Sequence, residues 1–528
     1  MKFTKHVTPW ALGLIAVASL AGCTANPIGD SSTADLDSDS KKDSSTSTVS
    51  TETEKVNITF WNNYSEDPTG RGTDDDSSYK AYWHMVDMID AFEKENPNIT
   101  VTTKAYKNYN AIATDVDAGL KTGNTPSLAV TYGTYAYNWK KYLIDVTDKG
   151  EAMEKDSDII ADYMKAEKQQ YGGNKYYTLP FGKSTEALMV NHEVFAASGA
   201  VAAGVAKGSY PAPTSISTKE AYSHPETFTD MIALAKQMKT DYPDVFATQK
   251  NEAGYFTACP IIYETAENLF CTVMESAGIP YMAANDYAST GVLFNNDKAK
   301  EAIAQLKKWN NDGLICVSDN LYYTDEAKGY HAYPSSVFAD GKCFMIIATT
   351  RGSAWMVGDG YSVDYTKLPK WDANSTVKTT SQGGSICFFK KKNKAEQEAA
   401  IAFYDFLNEK DNLAKLSVAT DYCPIRSSAY DTDDIKANVQ AYKTGVTASS
   451  SKDEKTKAYA GNVLGLNESY AKSGESFMSP VNKFSSKFRT AVKNLVINVF
   501  NDKTASTDDQ IKTLVDNEFT KAYRSTVA

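Results

Sequence analysis

Val56-Asn57-Ile58-Thr59-Phe60-Trp61 alternates apolar and polar residues, the period of a half-buried strand, and the stretch from here to Tyr132 decides the fold. Residues 79–95 set Met85, Ile89 and Phe92 at helical spacing and stop before Pro97. Asn98-Ile99-Thr100-Val101-Thr102 then reads as a second strand. Residues 110–121 carry Ile112, Val116 and Leu120 on one helical face, and after Gly123-Asn124-Thr125-Pro126 comes a third strand, Ser127-Leu128-Ala129-Val130-Thr131-Tyr132. Strands that alternate with helices in this way lie parallel in one sheet with the helices packed over it. The fold class is therefore α/β.

The same grammar recurs toward the C-terminus. Helices are expected at 227–239, 297–311, 394–409, 482–500 and 507–523, with Asp297 as an N-cap, and strands at 186–190, 343–349 and 385–389. Cys343-Phe344-Met345-Ile346-Ile347-Ala348 is apolar almost throughout, as a strand covered on both faces must be. The chain has 528 residues, more than one hydrophobic core usually holds, so more than one lobe is expected.

Toward the N-terminus, Lys2, Lys5 and His6 precede the apolar run Trp10 to Ala21, which has the length and flanks of a secretory signal. It meets Leu20-Ala21-Gly22-Cys23, which resembles the lipobox of bacterial lipoproteins. Residues 1–22 are then a signal peptide, and Cys23 is the lipid-bearing first residue of the mature chain. Residues 23–55 are dominated by Ser, Thr and charges, contain no aromatic, and read as a disordered tether. The expected address is the outer face of the bacterial cytoplasmic membrane, held by the lipid alone.

A formal charge of -11 disfavours nucleic-acid partners. Six cysteines follow Cys23, with no CxxC pair and only four scattered histidines, so no metal or cofactor site is expected; free buried thiols and one or more disulfides both remain open. Only five arginines stand among 55 basic residues, and each is a candidate for a place that needs a planar fork of donors. No GxSxG, GxxxxGK[ST] or GxGxxG is present. An exported, tethered α/β chain without a reaction centre is expected to be a ligand-capture module and not an enzyme, the alternative being an extracellular carbohydrate-active hydrolase.

The residues also resemble the extracellular solute-binding proteins that feed ABC importers for sugars. The likeness rests on Ile58-Thr59-Phe60-Trp61, Ala91-Phe92-Glu93-Lys94-Glu95-Asn96-Pro97-Asn98-Ile99 and Gly123-Asn124-Thr125-Pro126. It continues through Leu179-Pro180-Phe181-Gly182-Lys183-Ser184-Thr185, Asn191 and Phe338-Ala339-Asp340-Gly341-Lys342. Within that family it looks closest to glycerol-3-phosphate-binding proteins, with maltose-binding proteins more distant. The resemblance implies a two-lobe periplasmic-binding-protein (Venus-flytrap) fold with hinge crossovers and a ligand cleft between the lobes. Lobe one would comprise 56–182 plus 384–424, and lobe two 183–383 plus 425–528.

It also implies a site. Tyr109 in Tyr106-Lys107-Asn108-Tyr109, Tyr263 in Tyr263-Glu264-Thr265-Ala266-Glu267-Asn268, and Tyr422 in Tyr422-Cys423-Pro424 would offer aromatic faces to the solute. Ser184 and Gly384 fall on crossovers, Thr350 follows the buried strand, and Arg489 matches the phosphate-gripping arginine; the competing reading of Arg489 is a salt bridge between lobes. Arg351 is an addition that would strengthen an anionic site, and Trp61 either lines the cleft or caps the core. One departure is that the related proteins carry a glutamate after the tyrosine of the third strand, where Gly133 follows Tyr132 here. The implied partners are a sugar, polyol or phosphorylated polyol and the transmembrane subunits of an ABC permease, with the protein itself a monomer.

Overall fold

The computed structural model describes residues 54–64, 77–195, 222–284, 289–321 and 333–528, without the side chains of 77–80 and 354. The signal, Cys23 and the tether up to residue 53 lie outside the described residues. Thr53–Ala528 forms one compact unit.

Two five-stranded sheets organise it. The first runs in the order β2 (Ile99–Ala105), β1 (Val56–Asn62), β3 (Leu128–Thr131), β11 (Gln382–Phe388), β4 (Leu179–Ser184). The strands β2, β1 and β3 are parallel, as their intervening helices require, whereas β11 runs antiparallel to both of its neighbours. The sheet is therefore mixed. The second runs β7 (Ile315–Val317), β6 (Ile261–Tyr263), β8 (Met345–Thr349), β5 (Glu186–Asn191), β9 (Val363–Thr366). A two-stranded parallel ribbon joins β10 (Thr379–Thr380) to β12 (Ser476–Phe477).

The chain passes from the first sheet to the second with almost no connection: β4 ends at Ser184 and β5 begins at Glu186, leaving Thr185 alone between sheets. The return is longer, from β9 through residues 367–378 and the ribbon strand β10, with Ser381 between β10 and β11. Thr350 clamps the first crossover: its backbone N–H donates to the Thr185 carbonyl at 2.8 Å and its hydroxyl accepts from the Thr185 N–H at 3.1 Å. The lobe boundary expected between residues 424 and 425 falls where Ile425 and Ala429 pack with Phe60 and Phe181 in the first core. The long helix Lys452–Ser473 spans both cores, giving Tyr459 and Val463 to the second and Ala471 to the first.

Helix boundaries follow local chemistry. Helix Asp297–Asn311 is capped by Asn296, whose side chain accepts from the Ala299 N–H; an amide one residue earlier takes the place expected of Asp297. Helix Phe228–Asp241 opens with a capping box between Thr227 and Asp230. All six cysteines after Cys23 are buried free thiols, and no cluster of three or more His, Cys, Asp or Glu that could hold a metal occurs among the described residues.

Candidate functional site

A cavity of about 410 Å³, within the range of small-molecule sites, opens between residues that follow strands of both sheets. Tyr132, Gly133 and Gln170 line it from the first lobe, Asn268 and Arg489 from the second, and Ser381 and Gln382 from the return crossover.

Arg489 is the second-lobe anchor. It lies on helix Ser485–Asn501, its side chain one-third exposed, and its Nη2 donates to Asn268 Oδ1 at 2.7 Å with Glu267 Oε1 3.9 Å away. Both of these partners lie in the second lobe, so the competing reading, a salt bridge between lobes, is not the contact it makes here. Behind the arginine, Asn268 Nδ2 donates to Glu186 Oε1 at 2.9 Å and the Tyr263 hydroxyl donates to Glu186 Oε2 at 2.5 Å. Glu186 is fully buried, and burial pushes its carboxyl up to about 7.

Tyr132 and Tyr135 line the cavity from the first lobe, and a buried aromatic cluster lies behind Tyr132. The Tyr109 and Tyr132 rings lie 4.1 Å apart at 35°, and the hydroxyls of Tyr109 and Tyr422 are 2.9 Å apart. Tyr64 meets Tyr422 edge to face. From the second lobe, the Arg351 guanidinium sits 5.0 Å from the centre of the Tyr422 ring, a cation–π contact across the cleft. Burial raises the Tyr132 hydroxyl well above its ordinary value, and the charges of Arg489 and Arg351 act against that shift. A second cross-lobe bond joins Ser353 Oγ to Asp421 Oδ2 at 2.7 Å.

Each lobe backs its wall with buried polar groups. Gln170 Nε2 donates to Glu167 Oε1 at 2.9 Å, and Glu167 Oε2 accepts from Lys183 Nζ at 3.1 Å and Ser385 Oγ at 2.8 Å. A Cβ built on Gly133 would fall 1.8 Å from Gln170 Oε1. The departure from the family pattern thus has a physical counterpart, because the Gln170 amide occupies the place a side chain at 133 would take. Among the described residues, Glu267 Oε2, Ser381 Oγ and Gln382 Nε2 of lining residues have no hydrogen-bond partner.

The candidates from sequence divide as follows. Arg489 lines the cavity, and Tyr109, Tyr422 and Arg351 join the aromatic cluster around Tyr132. Gly384 lies under that cluster, where a Cβ would fall 2.1 Å from Val130 and 3.2 Å from the Tyr109 hydroxyl. Ser184 and Thr350 are buried at the crossover. Tyr263 is fully buried in the second core behind Asn268, and its ring does not line the cavity. Trp61 packs on Tyr106 at 5.5 Å beside Lys104, also away from the cavity lining. Arg426 pairs with Asp156 and Asp158 within the first lobe. Tyr132, Asn268 and Gln382 line the cavity without having been expected to; Tyr132 and Asn268 stand in stretches that the sequence marks, but which side chain of each stretch faces the cavity is set by the packing of Tyr263 into the core.

Residues 87–444 match the family model described as bacterial extracellular solute-binding protein. A relative, the sn-glycerol-3-phosphate-binding periplasmic protein UgpB of Rhizobium meliloti, is 26% identical over 131 residues, 25% of this chain and 27% of that protein, so the match spans about a quarter of the relative's length. Among solved structures, maltose-bound MalE3 of T. maritima is 14% identical with a TM-score of 0.56, covering 88% of this chain and 99% of that one. UgpB of Mycobacterium tuberculosis in complex with glycerophosphocholine is 13% identical with a TM-score of 0.57, covering 89% and 99%. These likenesses show the two-lobe fold. With its model matched over most of the folded part, the chain belongs to the bacterial extracellular solute-binding family, whose members bind and deliver solutes and are not enzymes.

Proposed function

We propose that this protein is a lipid-anchored substrate-binding protein that captures a sugar, polyol or glycerol-phosphate-type solute between its lobes and hands it to an ABC permease. The observation that carries the reading is the cavity between the sheets, where one guanidinium, Arg489, faces Tyr132 and Gln170 across a space of small-molecule size. Planar donors suit a phosphate or carboxylate, while the tyrosines suit the C–H faces and hydroxyls of a polyol. The named relatives support the same range: one is a glycerol-3-phosphate-binding protein, and the solved folds hold maltose and glycerophosphocholine. Thr185 and Ser381 are the hinge points, and ligand contacts made only when the lobes meet shift the population toward closure. Cys23 carries the anchor.

Calorimetry with sn-glycerol 3-phosphate, glycerophosphocholine and maltose tests the reading. An anionic solute held by Arg489 loses about 2–5 kcal/mol of binding in Arg489→Ala, and Arg489→Lys restores only part of it. Tight maltose binding that Arg489→Ala leaves unchanged would replace the phosphorylated ligand with a neutral sugar. Failure of the parent to bind any of the three would remove the assigned solute class.

A further inference from the structure

Glu186 is the first residue of β5, directly after the crossover residue Thr185, and the relation of its carboxylate to the cavity is fixed by one amide. Asn268 has a single NH2 group and a single carbonyl oxygen. Its Nδ2 is committed to Glu186 Oε1 at 2.9 Å, so its Oδ1 must face the other way, where it accepts from Arg489 Nη2 at 2.7 Å. The other carboxylate oxygen is held by the Tyr263 hydroxyl, so the group cannot turn away. Asn268 is itself buried in the first turns of helix Ala266–Ser276, which leaves the amide little freedom of its own.

We propose that Glu186 is the positioning residue for Arg489: its carboxylate sets the Asn268 amide, and the amide aims the guanidinium into the cavity. The inference rests on the reading that Arg489 faces the solute. Without an acceptor at 186 the amide is free to rotate and present NH2 to the guanidinium, two donors facing each other, and Arg489 loses its aim.

The arrangement also links the site to protons. The groups that face Glu186 are Tyr263, Asn268, Glu264, Arg489 and, from helix Lys452–Ser473, Tyr470. Arg489 is the only cation among them, and it lowers the carboxyl against the burial and the Glu264 charge that raise it. An anion that neutralises Arg489 removes that help, so the carboxyl takes up a proton as the anion binds. By linkage such a solute binds more tightly as the pH falls toward the carboxyl's own range, whereas a neutral sugar shows little of this dependence.

The five arginines make the test practical. Arginine-selective 15N labelling of the full chain gives at most five side-chain Nε–H signals, and Arg489→Lys assigns one of them. In ligand-free protein the Arg489 signal should move with pH between about 5.5 and 8.5 in the parent and stay still in Glu186→Gln, whose amide oxygen can still accept from Asn268. In Glu186→Ala and Asn268→Ala it should shift and broaden, and affinity for sn-glycerol 3-phosphate should fall about tenfold or more. An Arg489 signal that is identical in position, width and pH response in the parent, Glu186→Gln and Asn268→Ala would overturn the proposal. Should sn-glycerol 3-phosphate, maltose and glycerophosphocholine all leave the parent's Arg489 signal unmoved, the ligand reading fails on its own, and the ligand-free titration still judges Glu186.

Discussion

At Glu186 a full burial and two hydrogen bonds meet a carboxyl raised to about 7. In the unfolded chain this group titrates near 4.5. Between those values the folded protein holds a proton the unfolded chain has released, so stability is fully present below the lower value, declines as pH rises through the window, and is level above it. Urea melts from pH 4.5 to 8 should show Glu186→Gln losing part of that decline, roughly 2–3 kcal/mol across the window. Equal slopes in parent and variant would mean that other raised carboxyls, such as Glu264 and Glu275, account for it. None of this was legible in the sequence. Arg489 stood out because arginine is scarce, but Glu186 is one acid among 66, and its burial is decided by a core assembled from Tyr263, Asn268 and Thr379, residues far apart along the chain.

Elements with an apolar stripe were readable and those without one were not. Helix 297–311 coincides with the structure because Ile303 and Leu306 mark its buried side. Helix Lys452–Ser473 is harder to read because it is buried on more than one side: beside Tyr459, Val463 and Tyr470 it also buries Ala458, Gly461, Asn462 and Asn467, small and polar side chains that blur the contrast between an apolar and a polar face. Strand β4 hides similarly, since Lys183 and Ser184 sit buried within it and Lys183 is neutralised by Glu167. The 3-10 helix Thr350–Met356 carries two of the second lobe's contacts to the first, Arg351 on Tyr422 and Ser353 on Asp421. Because Ser353 to Asp421 joins the lobes, Ser353→Ala should weaken solute binding by about 0.5–1.5 kcal/mol while leaving the Tm of the ligand-free protein nearly unchanged. Unaltered binding in that variant would show that closure does not draw on this bond.

For the whole molecule, two lobes joined at Thr185, by the return through β10 and Ser381, and by helix Lys452–Ser473 need only small backbone changes at those connections to open or shut. The anchor is a separate question, and Cys23→Ala should release the protein from the membrane fraction, or stall its maturation, with solute affinity intact. A variant as firmly membrane-bound as the parent would rule out the lipid. The fold class was legible because periodicity and order survive without neighbours; the cavity was not, because its walls come from segments more than 300 residues apart. The thiols extend the two-lobe description into kinetics. Cys387 and Cys423 sit in or against the first lobe's core and Cys259, Cys271, Cys316 and Cys343 in the second, all six closed to solvent. A maleimide can therefore react only during a local opening, and mapping which cysteine is labelled first would time the breathing of each lobe separately, using reporters already present in the native chain.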